Sequence, residues 1–175
     1  MRDRRSFLGI LAAAAAVTLV ASPSNAIDLE ELGAPQGTPI LTISGKIAAT
    51  NAGETAQFDR AMLEKVGMDS YTTTTPWFTG PVEFKGVPLA DLMETVGASG
   101  TEVEAVALND YKASIPIEDF SKYHVLLALK RDGEYMPVRD KGPLFIVYPY
   151  DEHDELQAQK FYSRSAWQVK ELVVR

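Results

Sequence analysis

Two β-hairpin patterns stand side by side in the second half of the chain, and they limit the possible folds more than any other feature. The stretch EVEAVALNDYKASIPI has apolar residues on both sides of Asn109-Asp110. The stretch FSKYHVLLALKRDGEYMPV has the same arrangement around Arg131-Asp132-Gly133. Such polar turns between apolar runs are typical of antiparallel strand pairs. We therefore predict four consecutive strands here, which argues against a doubly wound sheet with strict strand–helix alternation.

The remaining segments predict more short strands and a few short helices. PILTISGKI, PLFIVYPY and the closing SAWQVKELVVR have strand patterns, and YTTTT is rich in β-branched residues. TAQFDRAMLEKVG has helical spacing and ends at Gly67, and a second helix starts near Pro88 after Gly86 turns the chain. About seven strands and two or three helices set into the crossings predict an α+β fold.

The first 26 residues have the pattern of an export signal. Arg2, Arg4 and Arg5 precede an apolar run shorter than a membrane span, and small residues follow that run. This order is typical of a cleaved leader, with an uncleaved membrane anchor as the less favoured alternative. The paired arginines also fit the twin-arginine route, which exports folded proteins, and the ordinary secretory route stays equally open.

Cleavage of this leader predicts a periplasmic protein with no stable membrane insertion. We divide the rest into a loose lead-in, residues 27–37, and one domain, residues 38–175. Removing the leader, with three arginines and one aspartate, lowers the net charge from −7 to −9. A chain this acidic should not bind nucleic acid through its overall charge. The chain has no cysteine, which excludes disulfides, a thiol nucleophile and thiolate metal ligands.

The stretch YTTTTPWFTG, residues 71–80, joins four threonines to an aromatic turn. Branching at Cβ restricts χ1 and favours an extended strand. The pattern allows two interpretations. It is either an edge strand exposed to water on both faces, or a strand whose end forms the floor of a ligand site.

The order of the motifs resembles a known family. The strand before TPWFTG, then FKGVPLADLMETVGA, LNDYKASIPIEDF, DGEYMPVRDKGPLFIVYP and RSAWQVKELVV, is similar to the molybdopterin-binding domain of the sulfite oxidase superfamily. The similarity covers about residues 39–175. In catalytic members a cysteine shortly before the aromatic turn binds molybdenum, and the resemblance implies that Thr73 stands at that position.

This departure changes the function that the resemblance implies. Molybdenum prefers a thiolate, for which a threonine hydroxyl is a poor substitute. Small cysteine-free exported proteins of this type resemble periplasmic pterin-binding regulators. These act on the periplasmic part of an inner-membrane protein that makes and degrades cyclic di-GMP. The resemblance therefore implies a bound pterin, in a reduced state, and no molybdenum.

A pterin is a flat bicycle with adjacent N–H donors and a carbonyl. It should be bound by an aromatic face, by a carboxylate and by a basic side chain. We predict that the following residues supply these groups: Thr73, Trp77, Phe78, Asn109, Asp110, Tyr111, Arg139, Lys141, Arg164 and Ser165.

Each of the stronger candidates also has a structural interpretation. Trp77 could pack in the core, and Asp110 could be an ordinary turn residue. The RDKG loop that contains Arg139 and Lys141 could be a solvated surface loop. Arg164 could form a surface salt bridge.

An acidic run, YDEHDEL, could bind a hard cation, but it lacks the spacing and glycine of a calcium loop. We interpret it as the acidic start of a helix. His124 and His153 are the two histidines, and neither lies near a serine in a nucleophile setting, so no hydrolytic triad is indicated.

Three functions from different classes remain open. The favoured one is a periplasmic pterin sensor without catalysis. The second is an oxidoreductase that uses molybdopterin without a cysteine ligand. The third is a protein with an empty site that acts through its surface alone.

Overall fold

The chain folds into two mixed sheets with short helices. The computed structural model describes residues 32–175, so the predicted leader and residues 27–31 lie outside the described residues. The strands in this part are β1 Leu41–Gly45, β2 Ala56–Phe58, β3 Asp69–Thr73, β4 Val82–Pro88, β5 Glu102–Ala107, β6 Lys112–Pro116, β7 Leu126–Arg131, β8 Glu134–Tyr135, β9 Phe145–Val147 and β10 Val169–Val174. The helices are α1 Arg60–Val66, α2 Leu89–Thr95, α3 Glu118–Lys122 and α4 Gln159–Arg164, with 3₁₀ helices at Val138–Asp140 and Asp154–Leu156. The predicted α+β class is confirmed.

The two sheets each contain five strands. The first has the order β2-β1-β10-β5-β6, and the second has the order β3-β4-β7-β8 with β9 also paired to β7. β1 and β10 run parallel, whereas all the other pairs are antiparallel. Both predicted hairpins are present, as β5–β6 and β7–β8. Strand β3 lies at a sheet edge, as one of the two interpretations required, but it is not exposed on both faces, because Thr73 is buried. It contains only Thr72 and Thr73 of the four threonines.

The predicted helix over residues 55–67 is partly wrong, because its first residues form strand β2. Phe58 pairs with Leu41 in the first sheet and is fully buried there. The helix starts only after Asp59, whose carboxylate accepts a hydrogen bond from the backbone N–H of Met62 at 2.9 Å. This N-cap stops the helix from extending back through Phe58. Gly67 follows the helix at its C-cap, as predicted.

Asp59 also holds the described part of the lead-in. Its Oδ2 accepts hydrogen bonds from the backbone N–H groups of Gln36 at 2.9 Å and Gly37 at 2.7 Å. The Met62 N–H, together with those of Gly37 and Gln36, keeps the pKa of the buried carboxyl below its ordinary value. Residues 32–37 thus contain no helix or strand, yet they are attached to the domain rather than loose.

The expectation that Gly86 turns the chain is wrong, because β4 continues through it. A Cβ at this position would lie 2.1 Å from the carbonyl oxygen of Leu127 in the neighbouring β7. The glycine therefore permits close approach of two backbones beside a register shift, not a turn. Pro88 precedes α2, whose Leu89, Leu92 and Met93 are buried as the apolar spacing predicted.

Two further helices lie in segments for which the sequence did not predict them. Phe120 was predicted in a strand but lies in α3, and α4 was not predicted as a separate helix. The acidic run begins a 3₁₀ helix at Asp154 rather than an α-helix. In the region from residue 32 to residue 175, no helix is long and apolar enough to cross a membrane.

Candidate functional site

A pocket of about 270 Å³ lies where three distant segments of the chain meet. These are the aromatic turn after β3, the β5–β6 turn, and α4 with the residues that follow it. The lining residues are Trp77, Ala107, Asn109, Tyr111, Gln159, Tyr162, Ser163, Ser165 and Trp167. The lining contains aromatic and neutral polar side chains and no charged one.

Trp77 forms the centre of the aromatic wall. Its ring is half-buried and makes edge-on contacts with four other rings at centroid distances between 5.4 and 6.1 Å. The four partners are Phe145, Tyr150, Tyr162 and Trp167. Edge-to-face packing of this kind fixes the orientation of the indole. Trp77 is therefore both a packing residue and a pocket residue, so the two interpretations of its role are compatible.

The β5–β6 turn closes one side of the pocket. The Oδ1 atom of Asn109 accepts a hydrogen bond from the backbone N–H of Tyr111 at 3.1 Å. Asp110 between them has a left-handed backbone with φ of 63°. The Tyr111 hydroxyl then donates to the carbonyl oxygen of Ser163 at 2.9 Å. This bond connects the turn to the end of α4.

Ser165 lies in the pocket wall, but its hydroxyl is engaged within the protein. The hydroxyl donates to the carbonyl of Phe161 at 3.1 Å and is hydrogen-bonded to the hydroxyl of Tyr150. Burial raises the pKa of Tyr150 well above the ordinary tyrosine value, so this phenol stays protonated. Ser165 and Tyr150 thus support the wall from behind the aromatic rings.

Thr73 is buried at the end of β3 and does not line the pocket. Its hydroxyl accepts a hydrogen bond from the backbone N–H of Asp151 at 3.1 Å and contacts the carbonyl of Thr74 at 3.3 Å. Asp151 in turn accepts from the Thr74 backbone at 2.6 Å and from the Thr74 hydroxyl. The hydroxyl of Thr73 therefore connects β3 to the loop after β9.

Phe78 and the predicted basic residues lie outside the pocket lining. Phe78 packs against Phe84, and the Arg131 guanidinium stands 4.5 Å above its ring. Lys141 places its Nζ atom 3.8 Å from the ring centre of Trp167, and burial lowers the pKa of this lysine. Arg139 is exposed in the 3₁₀ helix at 138–140. Of these residues, Lys141 comes nearest the site, through its contact with Trp167.

Two predicted site residues have ionic partners elsewhere in the protein. The Asp110 side chain is 82% exposed and pairs with Lys170 at 2.8 Å, which lowers the pKa of Asp110. Arg164 donates to Asp119 at 2.7 Å, and its side chain is only 23% exposed. Arg164 therefore does form a salt bridge, but an inward-facing one rather than a surface one.

The structure thus brings four predicted residues together at the pocket: Trp77, Asn109, Tyr111 and Ser165. The pocket also contains residues that the sequence did not predict as site residues: Ala107, Gln159, Tyr162, Ser163 and Trp167. Helical spacing could have identified part of this set, since Gln159 stands three residues before Tyr162 and four before Ser163. This spacing is informative only within a helix, and the sequence did not predict α4.

No metal-binding arrangement is found in the described residues. From Leu32 onward, no three His, Cys, Asp or Glu side chains lie together as ligands would. In the acidic run, Asp151 accepts hydrogen bonds from Thr74. His124 pairs with Asp69 at 2.8 Å, and the ring of His153 packs edge-on against Tyr123.

Comparisons with known proteins agree with this fold. The family model for the oxidoreductase molybdopterin binding domain matches residues 41–151. Thirty chains of solved structures match, among them the sulfane dehydrogenase SoxCD from Paracoccus pantotrophus, with a TM-score of 0.59 and 19% identity. That match covers 77% of this chain and 37% of the SoxCD chain, so the present chain spans well under half of that protein. A comparison with curated proteins gives no match. The chain belongs to the molybdopterin-binding domain family of sulfite oxidase-like fold.

Proposed function

We propose that this protein binds a pterin in the pocket and performs no redox catalysis. The observation that carries the proposal is the lining of the pocket, which combines aromatic rings with neutral polar groups. A flat heterocycle with donors and acceptors along its edge needs this combination, since the rings contact its faces and the polar groups pair with its edge. The family binds a molybdopterin cofactor, which makes a pterin the natural candidate.

The size of the pocket supports a small ligand. Its volume of about 270 Å³ lies just below the roughly 300–1,000 Å³ common for drug-sized ligands. A pterin bicycle fits that space better than a molybdopterin, which carries a further ring, two sulfurs and a phosphate. A phosphate also calls for basic side chains, and the lining contains none.

The residues present do not fit a protein-bound molybdenum centre. The sequence contains no cysteine, so it offers no thiolate. The hydroxyl of Thr73, at the position implied for the metal ligand, is buried and already accepts the N–H of Asp151. These two observations support pterin binding without molybdenum.

The regulatory part of the proposal rests on the resemblance of small cysteine-free exported domains to periplasmic pterin-binding regulators. We propose that pterin occupancy is sensed by the periplasmic part of an inner-membrane protein that makes and degrades cyclic di-GMP. The leader-like residues 1–26 support a periplasmic location. The acidic composition supports a protein partner rather than a nucleic acid.

A molybdopterin-dependent oxidoreductase without a cysteine ligand is the second candidate. Its support is the family itself, whose model describes an oxidoreductase domain, together with the structural likeness to a dehydrogenase. The two candidates differ in the metal content expected of the native protein.

Tryptophan fluorescence offers a direct test of pterin binding, because both tryptophans of the chain, Trp77 and Trp167, line the pocket. We expect pterin added to the purified protein to quench nearly all of the tryptophan emission in a saturable titration with one site per chain. The control is Glu94→Ala, at an exposed position of α2 outside the pocket lining, which should bind as the parent does. An emission that stays constant at saturating pterin would contradict the proposal.

A further inference from the structure

The side-chain amide of Asn109 has one orientation that the chemistry of its neighbour dictates. The backbone N–H of Tyr111 can only donate, so the Asn109 atom 3.1 Å from it is the acceptor Oδ1. The other end of the amide is therefore the donor Nδ2. Within residues 32–175 this Nδ2 has no hydrogen-bond partner, and Asn109 lines the pocket.

The turn that carries Asn109 is held on both sides. Across its base, the Ala107 N–H donates to the Tyr111 carbonyl at 2.9 Å, and the Asp110 N–H donates to the Ala107 carbonyl at 3.0 Å. Lys170 holds the Asp110 carboxylate at 2.8 Å, and Ser163 holds the Tyr111 hydroxyl at 2.9 Å. A turn with this many anchors presents its free donor in a fixed place, which is what selective recognition requires.

Several other polar groups of the pocket are already engaged within the protein or are free to turn. The hydroxyls of Tyr111, Ser163 and Ser165 already donate to protein carbonyls. Gln159 has a carboxamide with no partner in the described part of the chain, but nothing fixes it, so it can turn either end to a ligand. Asn109 is thus a pocket residue whose donor is both free and oriented. Within residues 32–175 the indole N–H groups of Trp77 and Trp167 and the Tyr162 hydroxyl also have no hydrogen-bond partner, but Asn109 alone among these carries its donor on the anchored β5–β6 turn.

We propose that Asn109 makes the pocket selective for ligands that present a carbonyl, and so for pterins over aminopteridines. This inference rests on the proposed function. Pterin has a carbonyl on its pyrimidine ring, and 2,4-diaminopteridine has an amino group at the same place with otherwise equal shape. The carbonyl accepts from Nδ2, whereas the amino group would face a second donor and leave both unpaired. Leaving such groups unpaired costs more than the bond itself contributes.

The test compares pterin with 2,4-diaminopteridine in tryptophan-quenching titrations at neutral pH. The parent protein should bind pterin at least about tenfold more tightly. Asn109→Asp keeps the acceptor for the Tyr111 N–H but exchanges the donor for a second acceptor, so the preference should invert toward 2,4-diaminopteridine. Glu94→Gln changes the charge by one unit at an exposed residue of α2, outside the pocket lining, and should leave the parent ratio unchanged.

The outcomes separate the inference from the proposed function. If neither ligand quenches the parent protein, the proposed function is wrong and this inference falls with it. If the parent binds both ligands equally, pterin binding stands and the selectivity is wrong. If the parent discriminates but folded Asn109→Asp keeps the parent preference, Asn109 is not the selecting residue. Thermal melting shows whether Asn109→Asp is folded, and the ratio for the parent protein decides the case if it is not.

Discussion

Asp119→Ala should lower the free energy of unfolding by about 3 to 5 kcal/mol. The Asp119 side chain is 7% exposed, and its Oδ2 accepts hydrogen bonds from Arg164 at 2.7 Å and from the fully buried hydroxyl of Tyr148 at 2.8 Å. Truncation leaves an inward-facing guanidinium and a buried phenol without their shared acceptor. Urea unfolding measures the loss, as a lower midpoint with an unchanged slope.

Asp110→Asn is the control, because it removes the charge from an exposed ion pair while asparagine tolerates the left-handed backbone at this position. Asp110 is 82% exposed and pairs with Lys170 at 2.8 Å. Exposed pairs of this kind contribute little to stability, so the unfolding midpoint should hardly move. Equal midpoints for both variants would contradict a structural role for Asp119. Equal midpoints would also mean that Asp119 does not hold Arg164, which would then be available to bind a ligand.

Trp77→Ala should have two separate effects. The first is on folding: loss of the ring from a site where it touches four others should cost about 3 kcal/mol, at the low end for truncated aromatics because Trp77 is half-buried. The second is on binding: loss of an aromatic wall should remove about 1 kcal/mol of binding free energy. The dissociation constant for pterin should therefore rise roughly fivefold. Thermal melting and a titration that follows the remaining Trp167 measure the two effects.

Trp77→Phe separates packing from recognition. It keeps an apolar ring in the cluster and should recover most of the stability lost in Trp77→Ala. It should recover only part of the affinity, since a phenyl ring offers a smaller face than an indole. If Trp77→Ala both melts and binds as the parent does, Trp77 is neither a packing residue nor a wall of the site.

The parts of the fold that the sequence predicted are those with local signals. The β5–β6 and β7–β8 hairpins follow from turn residues between apolar runs, and the buried β9 follows from a continuous apolar stretch. The errors involve non-local contacts. Phe58 fits a helical spacing, but pairing with Leu41 places it in β2. Gly86 resembles a turn residue, but the approach of β7 is the reason for a glycine there.

The part of the candidate site that lies in turns was predictable from the turn composition of the sequence. Trp77, Asn109 and Tyr111 lie in turns whose composition marked them, and the structure places all three at one pocket. The charged residues were less predictable, because residue type does not reveal the partner. Asp110 and Arg164 have the right chemistry for a pterin, yet Lys170 and Asp119 hold them. Gln159 depends on the location of α4, which had no strong local signal.

The central claim is that this member of a molybdopterin-binding family holds a pterin without molybdenum, and analysis of the native protein tests it most directly. Protein recovered from the periplasmic fraction of its own host is treated with acid, the released material is identified by fluorescence and mass, and molybdenum is measured by elemental analysis. We expect close to one pterin per chain and molybdenum far below that level. About one molybdenum per chain would contradict the account and favour the oxidoreductase. Native protein with neither pterin nor metal would favour action through its surface alone.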